Sequence, residues 1–515
     1  MAAVHRPVRG IRPLAALTAC ILMLLAAGTL APGRAAADAP PLTVQVGAAP
    51  AGPPMAPGFL GVSFEYKATH LYTGRDPGAV NPVLVALLRR LAPGARPYIR
   101  IGGNSTDQTW WPMRHVIPPR GVSYALTKGW LRTTQALAQA LHARLILGVN
   151  LAAGRPALAV AEARALLAGI GRRNIDAFEI GNEPDLYNVF AWSRDRLGRV
   201  VFSRPASYNV LALAIDYVRW RAALPSAPLA GPSFASLSWT SALGSFIASQ
   251  PRLSLVTFHR YPLRACLSDT TSPLYASIPN LLSDQASHGL AMQLSASVAV
   301  AHAHGLPFRL DELNSASCSG ARGVSDTFAS ALWVLDTLFE LAANGVDGVN
   351  FHTLPGAAYE PFTFTRRGSS WRAFVHPLYY GALAFAQAFP LRARLLPVTV
   401  PAAGGAGADA GAAVKVWATQ APDGRIHVVA INKQATAPAQ LQLQLPGAPS
   451  VATVESLSAP GLGATSGVTL GGQTFGAQTA TGVLPPPGAT PVAPDPSSGA
   501  YNVQVPAGSA VILTR

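Results

Sequence analysis

Acidic side chains are scarce in this chain: 24 Asp and Glu in 515 residues, against 39 Lys and Arg. With so few, a carboxylate at the end of an apolar run is not surface filler. Lysine is rarer still, with Lys67, Lys128, Lys415 and Lys433 alone, so arginine carries nearly all of the +15 charge. An arginine excess beside abundant Ala, Gly and Pro is what a GC-rich genome produces. No motif or basic cluster accompanies it, which argues against nucleic-acid binding and leaves attraction to polyanions as a secondary reading. Charged residues make up 12% and hydrophobic residues 50%, far from the disordered regime and ample for a large core. After Leu30 no apolar run is long enough to span a bilayer. Cysteine is limited to Cys20, Cys266 and Cys318, and neither of the last two has a neighbouring Cys or His at metal-site spacing.

Beyond these absences, the N-terminus has the parts of a secretory signal. His5, Arg6, Arg9 and Arg12 precede an apolar stretch from Leu14 to Leu30, and Ala35-Ala36-Ala37 offers a small-residue cleavage site. Residues 1–37 are therefore expected to direct secretion or periplasmic export, with an uncleaved anchor as the alternative. Leu17-Thr18-Ala19-Cys20 resembles a lipoprotein box, but the strongest apolar run follows the Cys, so lipidation is not expected. In an oxidising compartment Cys266 and Cys318 read as a disulfide, against the alternative of two free thiols.

From Phe59 to Pro390 apolar strand-like runs alternate with amphipathic helices. Asn81-Pro82 opens a helix with Leu84, Leu87, Leu88 and Leu91 on one face, stopped by Pro93-Gly94. Ser325 reads as the N-cap of another helix that runs to Asn344, with Asp326 in its first turn. Eight strand–helix pairs predict an α/β fold, a (β/α)8 barrel over 57–392. An open doubly wound sheet is the alternative, but no Gly-rich phosphate loop follows the first strand. Short strands broken by Gly, Pro and Asp then predict an antiparallel β-sandwich over 393–515. The segment 38–56 contains Leu42 to Val46, which alternates and could add a strand to it.

Residues at the C-terminal ends of barrel strands face the active site in such folds. That rule selects Glu65, Tyr66, Asn104, Asp107, Asn150, Asn182, Glu183, Phe234, His259, Tyr261, Glu312 and His352. These carboxylates, amides, phenols and imidazoles suit a polyhydroxylated ligand and contain no Ser–His–Asp pattern. Glu183, in Phe178-Glu179-Ile180-Gly181-Asn182-Glu183-Pro184-Asp185, and Glu312, in Phe308-Arg309-Leu310-Asp311-Glu312-Leu313, each follow a buried run. Two such carboxylates are what glycoside hydrolysis requires. If Glu312 points to the barrel axis, alternation sends Asp311 outward to an arginine, and Glu179 reads likewise as outward or structural. Trp110 and Trp111, after strand two, are either a stacking platform for sugar rings or core. Asn104-Ser105-Thr106 matches the glycosylation pattern, but its place on the rim reads as ligand-binding or structural.

Ile180-Gly181-Asn182-Glu183-Pro184-Asp185, with a Glu ending strand seven, resembles the retaining clan of (β/α)8 glycosidases. Tyr98 to Asp107, Glu312 to Phe328 and Asn344 to Thr353 are similar to family 79 of the glycoside hydrolases, the β-glucuronidase and heparanase family. That resemblance implies Glu183 as general acid/base, Glu312 as nucleophile and Tyr261 as the donor that orients Glu312. It also implies substrate contacts from Glu65, Asn104, Asp107, Asn182, Ser317 and Tyr359, with Asp107 alternatively a loop cap. Several relatives carry Tyr where this chain has Ser317, and Gly where it has Cys318 and Ser319. A Cys266–Cys318 bridge would join the loops after strands six and seven.

The expected function is that of an exported, retaining exo-β-D-glucuronidase acting on terminal, including 4-O-methylated, glucuronic acid of oligo- or polysaccharides. An endo-β-glucuronidase, a neutral-sugar β-glycosidase and an inactive polysaccharide-binding protein are the alternatives. The recognisable rim loops contain few Arg, which favours exo action. No cofactor or metal is expected. A monomer is expected, with no nucleic-acid partner and no membrane partner once the signal is removed.

Overall fold

The computed structural model describes residues 41–400 and 413–515; the expected signal segment, 1–37, lies outside the described residues. Eight parallel strands close into a barrel: β1 (Leu60–Glu65), β2 (Tyr98–Gly102), β3 (Arg144–Val149), β4 (Ile175–Ile180), β5 (Leu229–Phe234), β6 (Leu253–Arg260), β7 (Phe308–Leu313) and β8 (Gly348–Thr353). Their order round the barrel follows the chain, each strand pairing with the next and β8 closing on β1.

The strands are nearly continuous apolar runs because both faces are covered, by helices outside and by packed side chains within. Local signals place the helices. Asn81 caps Pro82–Leu91 by accepting from the backbone N–H of Val83 (3.1 Å) and Leu84 (3.3 Å). The helix expected from Ser325 begins instead at Phe328. The Ser325 hydroxyl accepts from Ala321 N–H (3.0 Å) and the Asp326 carboxylate from Gly323 N–H (2.6 Å), so both side chains are committed to the preceding loop.

Along each strand alternate residues fill the lumen. In its lower part Ile146, Ala177, Ala230 and Leu255 are in contact, and Arg309 lies over the ring of Tyr98, which packs on them. Above them comes charge: Arg100 from β2, Glu179 from β4, His259 from β6 and Asp311 from β7, all fully or almost fully buried. Here the reading of Asp311 as outward-facing is corrected, and of the two readings of Glu179 the structural one holds, inside the lumen and paired with Arg100. Arg309 and Asp311 are in phase and both reach the lumen, so strict alternation would have turned Glu312 away. The pairing of β7 with β8 slips between Leu310 and Leu313, and its pairing with β6 slips at the same place. This β-bulge adds one residue, and consecutive carboxylates face the same interior.

A β-sandwich packs beside the barrel. One sheet orders the strands Arg394–Leu396, Val414–Gln420, Ile426–Asn432, Ser509–Thr514, Ala452–Ser458 and Thr469–Leu470. The other orders Val398–Thr399, Leu42–Val46, Ala439–Gln444 and Tyr501–Val505, with Leu42–Val46 parallel to Ala439–Gln444. Two of the rare lysines lie between the domains. Lys433 Nζ reaches Asp336 Oδ2 at 2.7 Å and Lys415 Nζ reaches Glu340 Oε1 at 3.3 Å, while Trp417 stacks on Phe339 and donates to Asp336 (2.9 Å). Among the described residues no helix is long and apolar enough to cross a membrane.

Candidate active site

Glu183 and Glu312 meet at the C-terminal mouth of the barrel. One carboxylate oxygen of each, together with a ring nitrogen of His259, all lie within 4.8 Å of one another. Glu183 sits past the end of β4 in a left-handed conformation (φ 51°) that few non-glycine residues adopt. Gly181 makes the turn possible: φ is 79°, and a Cβ there would fall 2.4 Å from the Tyr187 hydroxyl. The Glu183 side chain keeps 22% exposure and its Oε1 lies 2.9 Å from His259 Nδ1.

Glu312 is enclosed, with 6% side-chain exposure. Arg100 Nη1 donates to its Oε1 at 2.5 Å and the Tyr261 hydroxyl to its Oε2 at 3.0 Å. Burial alone would raise its carboxyl, but His259, His352 and Arg100 hold it well below the usual carboxylate range, so it is an anion. Arg100 is the hub. It also donates to Glu179 Oε2 (2.8 and 2.6 Å) and to Asn182 Oδ1 (2.9 Å), and its Nε lies 3.4 Å from Asp311. Glu179 is pushed up to about 8, burial outweighing the attraction of Arg100, with Asp311 beside it adding to the rise. Donor atoms of Glu179, His259 and Asp311 lie within 4.8 Å of one another, as a cation site would need, yet the guanidinium of Arg100 is already the cation there.

The remaining expected residues fall into two groups. Tyr261, Tyr359 and His352 line the same mouth, each ring 6.2 Å from its neighbour in that series. Asn182 bridges to Asn104 (Nδ2 to Oδ1, 3.3 Å). Glu65 is buried and accepts from the N–H groups of Asn104 (3.1 Å) and Ser105 (2.7 Å), an approach that a Cβ at Gly103 would block. Ser317 turns its hydroxyl to the Leu263 carbonyl at 3.4 Å.

Asp107 is corrected from substrate contact to loop cap. Its two oxygens take the N–H groups of Leu151, Ala152 and Asn182 and the Tyr187 hydroxyl, leaving little for a sugar. Tyr66, Asn150 and Phe234 are likewise structural. The Tyr66 hydroxyl donates to the Gly148 carbonyl (2.5 Å), the Asn150 amide holds the loop after β2, and Phe234 sits in an aromatic cluster. Trp110 is core, packed with Val122 and Leu158, whereas Trp111 is partly exposed.

Cys266 and Cys318 are bonded, tying the loop after β6 to the loop after β7. Cys318 (φ 61°) and Ser319 (φ 67°) are both left-handed. Glycine adopts that conformation without steric cost, whereas Cys and Ser hold it here beside the disulfide.

A closed parallel barrel with two facing carboxylates at its C-terminal mouth, one of them past β4 and the other ending β7, has the architecture of the (β/α)8 glycoside hydrolases. Comparison with known proteins narrows the class. Residues 416–512 match the model of the glycosyl hydrolase family 79 C-terminal beta domain. A β-glucuronidase of Neurospora crassa is 24% identical over 372 residues, 65% of this chain and 63% of that protein's length. Among solved structures, a 4-O-α-L-rhamnosyl-β-D-glucuronidase of Fusarium oxysporum superposes with TM-score 0.72 at 20% identity, over 92% of this chain and all of that one. A GH51 arabinofuranosidase of Xanthomonas axonopodis pv. citri shares the fold at TM-score 0.62 and 18% identity, covering 92% and 99%. The C-terminal sandwich thus carries the family 79 beta domain, and the chain as a whole shares the fold of (β/α)8 glycosidases and spans about 63% of the length of the curated relative it matches.

Proposed function

We propose that the chain is an exported retaining exo-β-D-glucuronidase that removes terminal glucuronic acid, 4-O-methylated residues included, from glycans. The observation that carries this reading is the meeting of Glu183 and Glu312 around one sugar-sized gap, within 4.8 Å with His259. Retaining enzymes hold their carboxyls about 5–5.5 Å apart, whereas an inverting enzyme needs about 6.5–9.5 Å to admit a water between them.

Glu312, anionic and aimed by Arg100 and Tyr261, attacks the anomeric carbon and forms a covalent glycosyl-enzyme. Glu183, the more exposed of the two, protonates the departing oxygen, then takes a proton from the water that releases the sugar. Tyr261, Tyr359 and His352 surround the ring, and Asn182 and Asn104 offer amides to its hydroxyls. The relatives named as glucuronidases support glucuronic acid as that ring. The residues before Asp38 support export.

The test is hydrolysis of an aryl β-D-glucuronide compared with the β-D-glucoside and β-D-galactoside. The expected preference in kcat/KM is at least about 100-fold, near 3 kcal/mol of transition-state binding. A preferred neutral sugar would overturn the substrate and leave the mechanism standing. One feature favours that outcome, the departure at Ser317 from the pattern that the resemblance implies.

A further inference from the structure

Glu183 is aimed by its backbone. Among the described residues His259 is the one hydrogen-bond partner of its carboxylate, whereas Glu312 is gripped by both Arg100 and Tyr261. A non-glycine residue keeps the left-handed conformation of Glu183 only where its surroundings over-determine it. The turn that carries Glu183 is pinned at both ends. Ahead of it, Asn182 N–H donates to Asp107 Oδ2 and to the Tyr187 hydroxyl, both at 3.2 Å, and that hydroxyl donates in turn to Asp107 Oδ2 at 2.6 Å. Behind it, Asp185 accepts from the N–H groups of Ala235 (3.2 Å) and Ser236 (2.7 Å), in the loop after β5.

The expectation that rim loops contain few arginines fails in the loop after β4. Arg194, Arg196 and Arg199 are exposed there, but Arg204 turns inward and its side chain keeps 10% exposure. Its guanidinium lies 5.6 Å from the centre of the Tyr187 ring and 5.2 Å from that of Tyr208, within cation–π range of both. Its Nη groups donate to the carbonyls of Leu151 (3.0 Å) and Ala152 (3.2 Å), the two residues whose N–H groups go to Asp107. Asp216, on the helix Val210–Ala223, accepts from Nε at 3.1 Å and Nη2 at 3.0 Å. Arg204 and Asp107 therefore hold the same two peptides by opposite groups. Both also touch Tyr187, one at the ring and the other at the hydroxyl.

We propose that Tyr187 and Arg204 are positioning residues for the acid/base. The guanidinium fixes the Tyr187 ring, the Tyr187 hydroxyl fixes Asn182 N–H, and the turn then presents the Glu183 carboxyl to the departing oxygen. This rests on the role given to Glu183 above. The phenol sits directly against the turn, since a Cβ at Gly181 would fall 2.4 Å from its oxygen, so a shift of Tyr187 passes to the backbone ahead of Glu183. Displacing a catalytic group by about 1 Å can cost on the order of 100-fold in rate.

The test is Tyr187→Phe in the full chain, which keeps the ring and removes the hydroxyl. Its kcat/KM should fall about tenfold on phenyl β-D-glucuronide and less than about twofold on the 2,4-dinitrophenyl compound, whose leaving group needs no proton. On the dinitrophenyl substrate kcat and KM should fall together by about tenfold, because the glycosyl-enzyme accumulates when the base that activates water is misplaced. Azide needs no base and should restore kcat. Its nitrogen bonds to the anomeric carbon as the ester bond to Glu312 breaks, which releases the glycosyl azide and the Glu312 carboxylate. Arg204→Met should repeat the pattern more strongly and Arg204→Lys recover part of the loss; if Arg204→Met does not fold, Tyr187→Phe decides alone. Equal losses on both substrates, no loss, or a kcat that azide leaves unchanged would each overturn the proposal. If only a neutral glycoside is cleaved, the same comparison run on its aryl series tests the brace while the glucuronide reading falls. A Glu183→Ala variant indifferent to the leaving group would overturn both.

Discussion

The two domains solve opposite problems. The sandwich interior is built from Val44, Val428, Leu441, Leu443, Val503 and Leu513, which need only be packed. The barrel lumen holds Arg100, Glu179, His259, Asp311 and Glu312 within one linked set. Burying charge costs free energy that ion pairing offsets only in part, so a charged lumen is a poor way to stabilise a barrel. It is a good way to fix an anion beside a sugar. Helices and strands around the lumen provide the apolar burial that makes such a centre affordable. The difference teaches where to look for function in this molecule: in the buried charges that contribute least to holding it together.

Substitutions can break that contrast or sharpen it. The largest effect is expected from Glu312→Gln, which should lower kcat by about 10⁴-fold or more, over 5 kcal/mol, while thermal unfolding shows a folded protein. Loss of folding with loss of activity would instead make Glu312 structural. Glu183→Ala should slow substrates with poor leaving groups by about 10³-fold and activated aryl glucuronides far less, because only the former need protonation. A Brønsted plot across a series of phenols reads the difference.

Arg100→Met should act on both sides of the comparison. It leaves Glu179, Asp311 and Glu312 without their shared cation, a loss of about 3–5 kcal/mol by denaturant unfolding. It should also move activity in pH. Arg100 helps hold Glu312 low, so its removal lets that carboxyl rise and shifts the acidic limb of kcat/KM to higher pH. An unmoved limb would show that His259 and His352 suffice.

The sandwich side offers the converse. Lys433→Met strands the buried Asp336, which Lys433 holds ionised against its burial, and should cost about 3 kcal/mol of stability with kcat unchanged. The smallest effect concerns His427, which burial and then Arg425 lower to about 4. The unfolded chain takes up that proton near pH 6.5, so stability is full above this value and declines as pH falls toward 4. The decline should be on the order of 2–3 kcal/mol, and His427→Gln should remove it.

Much of the barrel was legible because each strand is an apolar run between amphipathic helices, and both key glutamates stand where such runs stop. The lumen was harder to read. Arg100, the hub of the lumen, was missed: it interrupts Tyr98-Ile99-Arg100-Ile101, and nothing in that run says which carboxylates it meets. Asp311 was misread because one bulge reverses the phase of β7, and no residue in Leu310 to Leu313 announces it. Asp107 was ambiguous for another reason. A carboxylate that accepts backbone N–H groups from a distant loop looks, in sequence, like one waiting for a ligand.

The strand Leu42–Val46 completes a sheet otherwise built from residues beyond 397. During synthesis the earliest part of the sandwich must therefore wait, unpaired, until almost the whole chain has left the ribosome. A fragment beginning near residue 393 would lack this strand and leave the flank of Leu441 to Gln444 open to other chains. Cutting at the apparent domain border should thus yield two sticky pieces, and an intact head is a requirement for a soluble tail.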